Sequence, residues 1–321
     1  MRKVKWGVLS TASIAKNCTI PGMLKAENVE LVAIAGRNAE KVEKFKNEFG
    51  FKKGYVGYDA LLEDEEIEAL YIPLPNHLHK EWVIKALKAG KNVLCEKPLG
   101  LNEAEVKEMF ETAKENKVIL MEAYAYLHSP YVLSLVKDAK ELIGDIRFID
   151  TAFVTQEYKE DIRLYKEQGG GAIYDLGCYC TTLILSLIDS EPEYVNASSE
   201  FSDKGVDLLS SAVMKFENGA RAAFTVGMIL GEDSNDRMDR LYINGTKGYI
   251  KSDVEYNQSG KVRYTVVSEG KEIIREIDCP INYTLEASQL GRCITDGETP
   301  LVSDTFSVRN AKLMDEIFAR I

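Results

Sequence analysis

The sequence predicts an α/β protein in two parts: a parallel α/β half, then an α+β half built on an open, mostly antiparallel sheet. Three observations carry this expectation. The chain has 321 residues, too many for one ordinary domain and enough for two with real cores. Over residues 1–122 short apolar runs alternate with helical patterns, as in successive βαβ units. Over residues 123–321 longer strand-like segments follow one another through glycine-containing turns, which implies hairpins.

In the first half the strand candidates are Val4–Leu9, Val29–Ala35, Ala69–Pro73, Asn92–Cys95 and Val118–Met121, with helices at Ala39–Phe49, His79–Ala89 and Glu103–Asn116. Gly50 and Gly90 stand where helices end in the left-handed region. In the second half Ile146–Glu157, Leu208–Phe216, Ala220–Val226, Arg240–Asn244 and Lys261–Ser268 read as strands, with helices at Ala172–Leu187, Thr284–Asp296 and Ser303–Arg320. Those helices would cover one face of the sheet, the last of them packing back on the first domain. The other face must meet something, and a homodimer through this sheet is expected.

Composition narrows the function. The sequence is 45% hydrophobic and 28% charged, with no apolar stretch approaching the ~18 residues that cross a bilayer, so no membrane partner is expected. The amino terminus reads as a first strand and not a signal peptide, which places the protein in the cytoplasm. A net charge of −11 argues against nucleic acid, whose binding relies on Lys and Arg at phosphates. The six cysteines are scattered, as reduced thiols would be. Cys178/Cys180 and His77/His79 are the spacings that raise a metal, but neither brings the further ligands a site needs, and no metal is expected.

The first βα turn is Ser10-Thr11-Ala12-Ser13-Ile14-Ala15. A dinucleotide fingerprint asks for glycine at three places here, and this chain has a small residue at each and glycine at none. Phosphate binding and an ordinary strand–helix turn both fit. The second strand ends at Ala35-Gly36-Arg37, with no acidic residue to hold a ribose 2′-hydroxyl and with Arg37 where a 2′-phosphate would sit. NADP(H) is therefore expected ahead of NAD(H).

Glu96-Lys97-Pro98 directly follows the apolar run Asn92–Cys95, so a buried strand would deliver Lys97 to the C-terminal edge of the sheet, where open α/β sheets bind ligands. Gly169-Gly170-Gly171 opens a helix carrying Asp175 and Tyr179 four residues apart, hence on one face.

Taken together, Ser10-Thr11-Ala12 with Ile14-Ala15, Tyr71-Ile72-Pro73-Leu74-Pro75-Asn76-His77-Leu78-His79, Glu96-Lys97-Pro98, the segment 169–179 and Ile243-Asn244-Gly245-Thr246-Lys247-Gly248 resemble, over the full length, the glucose-fructose oxidoreductase and inositol dehydrogenase (Gfo/Idh/MocA) family. Within it the resemblance is to the branch of dimeric dihydrodiol dehydrogenases and sugar reductases. It implies a Rossmann-type first domain that binds the dinucleotide and a second domain for substrate and oligomerisation. It also implies reversible hydride transfer between the nicotinamide and a carbonyl or secondary alcohol of a sugar, cyclic polyol or dihydrodiol.

By that resemblance Lys97 lies beside the nicotinamide and Tyr179 is the acid–base phenol, with the immediate proton donor left open between them. Asp175 orients Lys97 or holds a substrate hydroxyl. Ser10, Thr11, Ala12, Ile14 and Arg37 line the coenzyme, as do Pro73, Asn76 and His79 in the loop after the Ala69–Pro73 strand, and Arg163 reaches its phosphates from the second domain. Glu96 either contacts coenzyme or orients Lys97. Around Leu127 and Ser129 the chain departs from relatives that carry an arginine and a histidine, so substrate identity is not inherited. Tyr124, Tyr126 and Tyr165 suit either sugar stacking or the core. Two other functions share the pattern: coenzyme-retaining elimination or glycoside hydrolysis, and a non-catalytic coenzyme sensor.

Overall fold

The computed structural model describes residues 2–232, 236–252 and 256–321. The chain divides into two compact units, Met1–His128 with Pro280–Val308, and Ser129–Cys279 with Arg309–Ile321.

The first unit holds a parallel sheet of β1 (Val4–Leu9), β2 (Val29–Gly36), β3 (Lys53–Val56), β4 (Ala69–Ile72), β5 (Asn92–Glu96) and β6 (Leu120–Ala123), in the order β3-β2-β1-β4-β5-β6. Central strands are apolar almost without alternation because helices cover both faces: β4 is buried at all four positions. The helices are α1 (Ile20–Met23), continuing a π-helical turn at Ala15–Thr19, α2 (Ala39–Phe49), α3 (Asp59–Leu62), α4 (His79–Lys88) and α5 (Glu103–Asn116). Asn38 and Asn102 cap α2 and α5 by accepting from the backbone N–H of Lys41 and Glu105. Gly50 (φ 76°) and Gly90 (φ 74°) take the left-handed positions after α2 and α4.

Two features differ from the sequence expectation. The edge strand β3 was not anticipated, since Lys-Gly-Tyr-Val is half exposed and carries no apolar run. The last strand begins two residues later than Val118 and ends two later than Met121, which brings Glu122 into the sheet opposite Cys95.

The second unit is built on an eight-stranded sheet of β7 (Ile146–Glu157), β8 (Pro192–Phe201), β9 (Asp207–Phe216), β10 (Arg221–Glu232), β11 (Arg237–Gly245), β12 (Gly248–Ser252), β13 (Gly260–Ser268) and β14 (Lys271–Cys279). Its order is β14-β13-β12-β11-β7-β10-β9-β8, antiparallel except for the β7–β10 pair. The unexpected strands β8 and β14 are its edges; β14 reads Lys-Glu-Ile-Ile-Arg-Glu-Ile-Asp-Cys, the charge-laden composition that protects an edge from further pairing. Also unexpected is α6 (Pro130–Leu142), entered through Pro130 and capped by Ser129.

α6 and α7 (Cys178–Leu187) pack on one face of this sheet. Strand register places Phe148, Val213, Met238, Tyr242 and Tyr249 together on the opposite face, all exposed.

The remaining helices are α8 (Asn282–Asp296) and α9 (Asp304–Phe318). The sequence boundary at 122/123 assigned α8 to the second domain. In the structure the first unit runs on to His128 and includes α8, which packs on α1, the π-helical turn, β1, β2 and β5. Thr284 Oγ1 donates to Gly22 O (2.9 Å) and Asn28 Nδ2 to Ser288 O (2.8 Å). The approach is close enough that a Cβ on Gly22 would lie 2.6 Å from Tyr283 Cβ and 2.9 Å from the Tyr283 carbonyl carbon. Gly22→Ala must therefore push α1 from α8, and is expected to cost about 1–3 kcal/mol. A urea midpoint equal to that of the parent would contradict this packing.

Candidate active site

The end of β5 is built from charged groups that the sheet buries. Glu96, its last residue, is 8% exposed. Tyr71 on β4 donates to Glu96 Oε1 at 2.5 Å, and Thr19 Oγ1 lies 2.8 Å from the Tyr71 hydroxyl. A phenol has one proton, so Thr19 is the donor in that second bond and the chain runs Thr19 to Tyr71 to Glu96. Burial, and then the Glu96 charge, raise the Tyr71 pKa well above its ordinary value, so the phenol keeps its proton. Of the two roles expected for Glu96, this geometry supports an anchored carboxylate behind Lys97.

Lys97 follows, half-buried, and is joined to Pro98 by a cis peptide. Its charge acts on two buried groups of the same unit. Glu122 accepts from the Leu99 N–H at 2.8 Å; burial pushes its pKa up to about 7, against the opposing pull of its hydrogen bonds and of Lys97. His79 is fully buried, its Nδ1 2.9 Å from Pro98 O and its Nε2 2.8 Å from Leu74 O. Burial lowers the His79 pKa, so the neutral ring donates to one carbonyl at a time. His79 was expected against coenzyme; here its buried ring lies between the Leu74 and Pro98 carbonyls. Pro73 is buried in that loop and Asn76 is half-exposed.

At the first turn Ser10, Thr11, Ala12 and Ile14 are all partly exposed. Ser10 has φ 155°, a backbone that L-residues rarely adopt, so serine takes a conformation usually left to glycine. At the facing end of β2 a Cβ on Gly36 would come within 3.2 Å of Thr11 Cγ2. Arg37 is exposed just beyond it. Small residues, an open turn and an exposed cation thus stand together at the ends of β1 and β2.

In the second unit, Gly169-Gly170-Gly171 is held by close approaches that exclude side chains. A Cβ on Gly170 would lie 2.4 Å from Arg163 O, and one on Gly171 (φ 117°) 2.1 Å from Asp207 Oδ1. Asp207, which the sequence reading missed, accepts from the Ile173 N–H at 2.8 Å and from Ser210, with burial raising its pKa to about 6. The helix then starts with a π turn, Ile173–Gly177, before α7, so Asp175 and Tyr179 are separated by a wider turn than the α spacing assumed.

Asp175 Oδ2 accepts from Arg163 Nε at 2.6 Å, and Arg163 Nη1 donates to Asp161 at 2.9 Å. Asp175 chiefly holds the Arg163 guanidinium firmly charged. The expected phosphate-binding arginine thus has two carboxylate partners in its own unit, and the expected orienter of Lys97 has Arg163.

Tyr179 is partly exposed in an aromatic wall, 5.5 Å from the rings of both Phe153 and Tyr256, with Arg237 over Phe153 at 4.3 Å. Asn257 Nδ2 donates to the Tyr179 hydroxyl at 3.4 Å. Tyr124 and Tyr126 are fully buried, which assigns them to the core; Tyr165 is half-exposed under Lys204. Leu127 and Ser129 are buried. Among the described residues no cluster of three or more His, Cys, Asp or Glu could hold a metal ion, and no helix is long and apolar enough to cross a membrane.

Glu122 yields a pH test. Its pKa rises from 4.5 to about 7 on folding. The corresponding stability is full below 4.5 and is lost as pH climbs through 7, about 3 kcal/mol in all. Glu122→Gln should flatten stability between about pH 5 and 8 and gain on the parent above about 7. Parallel pH profiles for the two proteins would disprove the assignment.

Comparison with known proteins agrees over both units. Residues 4–124 match the oxidoreductase family with NAD-binding Rossmann fold, and residues 138–251 match the GFO/IDH/MocA C-terminal domain. The trans-1,2-dihydrobenzene-1,2-diol dehydrogenase of Xenopus tropicalis is 32% identical over 99% of this chain and 98% of its own. The D-xylose 1-dehydrogenase (NADP(+)) 2 of Haloferax volcanii is 29% identical over 98% of this chain and 96% of its own. A 3-ketoreductase from Actinomadura kijaniata, solved with NADP and TDP-benzene, superposes with a TM-score of 0.92 at 27% identity, covering 99% of this chain and 98% of that one. With a parallel nucleotide-binding sheet, an open second sheet and relatives that match end to end, the chain belongs to the GFO/IDH/MocA family of oxidoreductases.

Proposed function

We propose that the protein is an NADP(H)-dependent oxidoreductase that interconverts a carbonyl and a secondary alcohol on a sugar, cyclic polyol or dihydrodiol. The observation that carries this reading is Lys97, a partly exposed ammonium delivered by a buried parallel strand to the ligand edge of the sheet. Relatives named as a dihydrodiol dehydrogenase, an NADP-dependent xylose dehydrogenase and a ketoreductase support the substrate class. Exposed Arg37 supports NADP(H) over NAD(H).

Bound coenzyme supplies or accepts the hydride. In the reducing direction Tyr179 gives its proton to the developing alkoxide, and Lys97 stabilises that charge. Because the Asn257 amide donates to the Tyr179 oxygen, the phenolic proton is directed away from Asn257. Phe153 and Tyr256 give the phenol an apolar wall that keeps bulk water off one side.

The test is a panel of sugars, inosose-like ketones and dihydrodiols assayed with NADPH and NADH by nicotinamide absorbance. NADPH should be preferred, and Arg37→Ala should narrow that preference. Tyr179→Phe should lower kcat by about 10²–10⁴-fold with little change in NADPH affinity. Full turnover by that variant, or a preference for NADH, would defeat the corresponding assignment.

We also infer a homodimer through the uncovered sheet face, on the strength of its exposed Phe148, Tyr242 and Tyr249. Sedimentation equilibrium should give twice the chain mass, and Tyr242→Asp should shift it toward one. A monomeric parent protein would exclude this interface.

A further inference from the structure

One face of α8 carries polar atoms that the first unit buries and leaves without protein partners. Asn282 (3% exposed) and Glu286 (0%) are one helical turn apart, and neither the amide N and O of Asn282 nor either carboxylate oxygen of Glu286 has a hydrogen-bond partner. Four such atoms on adjacent side chains are far from the usual condition of a protein interior, where nearly every buried polar atom is bonded to protein or to internal water. Nothing in the proposed reaction uses them.

Their surroundings say what they serve. α8 packs against β5, whose last residue is Glu96, and Glu96 and Glu286 act on one another electrostatically. The ionisable groups on the elements around α8 are few. Glu96 lies on β5 and Tyr71 on the adjacent β4. The π turn carries Lys16, which pairs with Glu48, and Cys18. His128, with its pKa lowered to about 4 mainly by burial, is neutral. Lys5 on β1 and Glu30 on β2 are paired with Glu66 and Lys52. On α8 itself stand Tyr283, Cys293, Arg292 (paired with Glu298) and, at its far end, Asp296. No cation among the groups acting on Glu286 compensates it; Glu96 opposes its ionisation and so does burial. Burial and the Glu96 charge thus hold the proton on Glu286, while Glu96 accepts from Tyr71.

We propose that Asn282 and Glu286 bind internal water between α8 and the end of β5, and that Glu286, as a neutral acid, donates through this water to Glu96, making it a positioning residue for Lys97. Glu96 is then fixed from two sides, by Tyr71 and by the water. One anion, not two, stands behind the Lys97 ammonium. The functional importance of that ammonium rests on the reading given above; the coupling of Glu286 to it does not.

The test uses the full chain labelled with ¹³Cε-lysine, the Lys97 signal being assigned by its loss in Lys97→Ala. In Glu286→Leu the titration midpoint of Lys97 should fall by roughly one unit, as its fixed counter-charge loosens. Glu286→Gln, which keeps the shape and neutrality of the acid, should restore most of it. Infrared spectra at neutral pH should show a protonated-carboxyl band that Glu286→Gln removes, and a high-resolution crystal structure should show ordered water bonded to Asn282 and Glu286. Should the leucine variant not fold, Asn282→Leu disturbs the same water and should move Lys97 in the same direction. A Lys97 midpoint unmoved in the leucine variants, or a protonated-carboxyl band that Glu286→Gln leaves unchanged, overturns the proposal. Full turnover by Lys97→Ala would instead sink the catalytic reading and leave this coupling in place.

Discussion

Ending a buried strand on a carboxylate and an ammonium is costly, and the first unit is arranged around that cost. A carboxylate taken from water without partners is penalised by several kcal/mol. Glu96 is kept by the Thr19–Tyr71 chain, which crosses from the π turn through β4 to β5. The turn beyond Lys97 is kept by His79, reaching from α4 to both Leu74 and Pro98, and by Glu122 on β6, which takes the Leu99 N–H. Each partner comes from a different element. Their joint effect is that the chain on both sides of Lys97 is tied to β4, α4 and β6.

The second unit meets the same problem with backbone instead of strands. Its glycine triplet lets the Arg163 carbonyl and the Asp207 carboxylate come to where Cβ atoms would be, so that Asp207 can tie down the start of the helix. Arg163 and Asp175 then neutralise each other beside it. These contacts tie down the start of the helix that carries Tyr179. Mobility at that phenol would spread its hydroxyl over positions from which proton transfer is slow.

What the sequence made legible follows from how local each signal is. β1, α2 and α5 were read within a residue or so, because apolar runs and Asn or Gly caps are written in adjacent residues. Lys97 was legible as a strand-end residue for the same reason. Edge strands β3 and β14 were not, since protecting an edge removes the apolar run that marks a strand. Glu122, Asp207 and Glu286 were invisible for a deeper reason. A single acidic residue in a helix or strand looks solvated, and only its partners across the fold, Leu99, Ile173 and β5, make it buried. The return of α8 to the first unit was likewise set by contacts with Gly22 and Asn28, some 260 residues away in sequence.

The glycine-free first turn shows how such a requirement can migrate. A nucleotide turn needs space at two places: within the turn, and where the neighbouring strand end passes it. Here the turn keeps a glycine-like backbone at Ser10 despite the side chain. Glycine appears on the facing strand, at Gly36, where a Cβ would press on Thr11 and Val42. A fingerprint places its glycines in one strand–helix turn; here the close approach falls between two strand ends, Gly36 packing against Thr11 and Val42. A pattern confined to one turn cannot see a requirement divided between two.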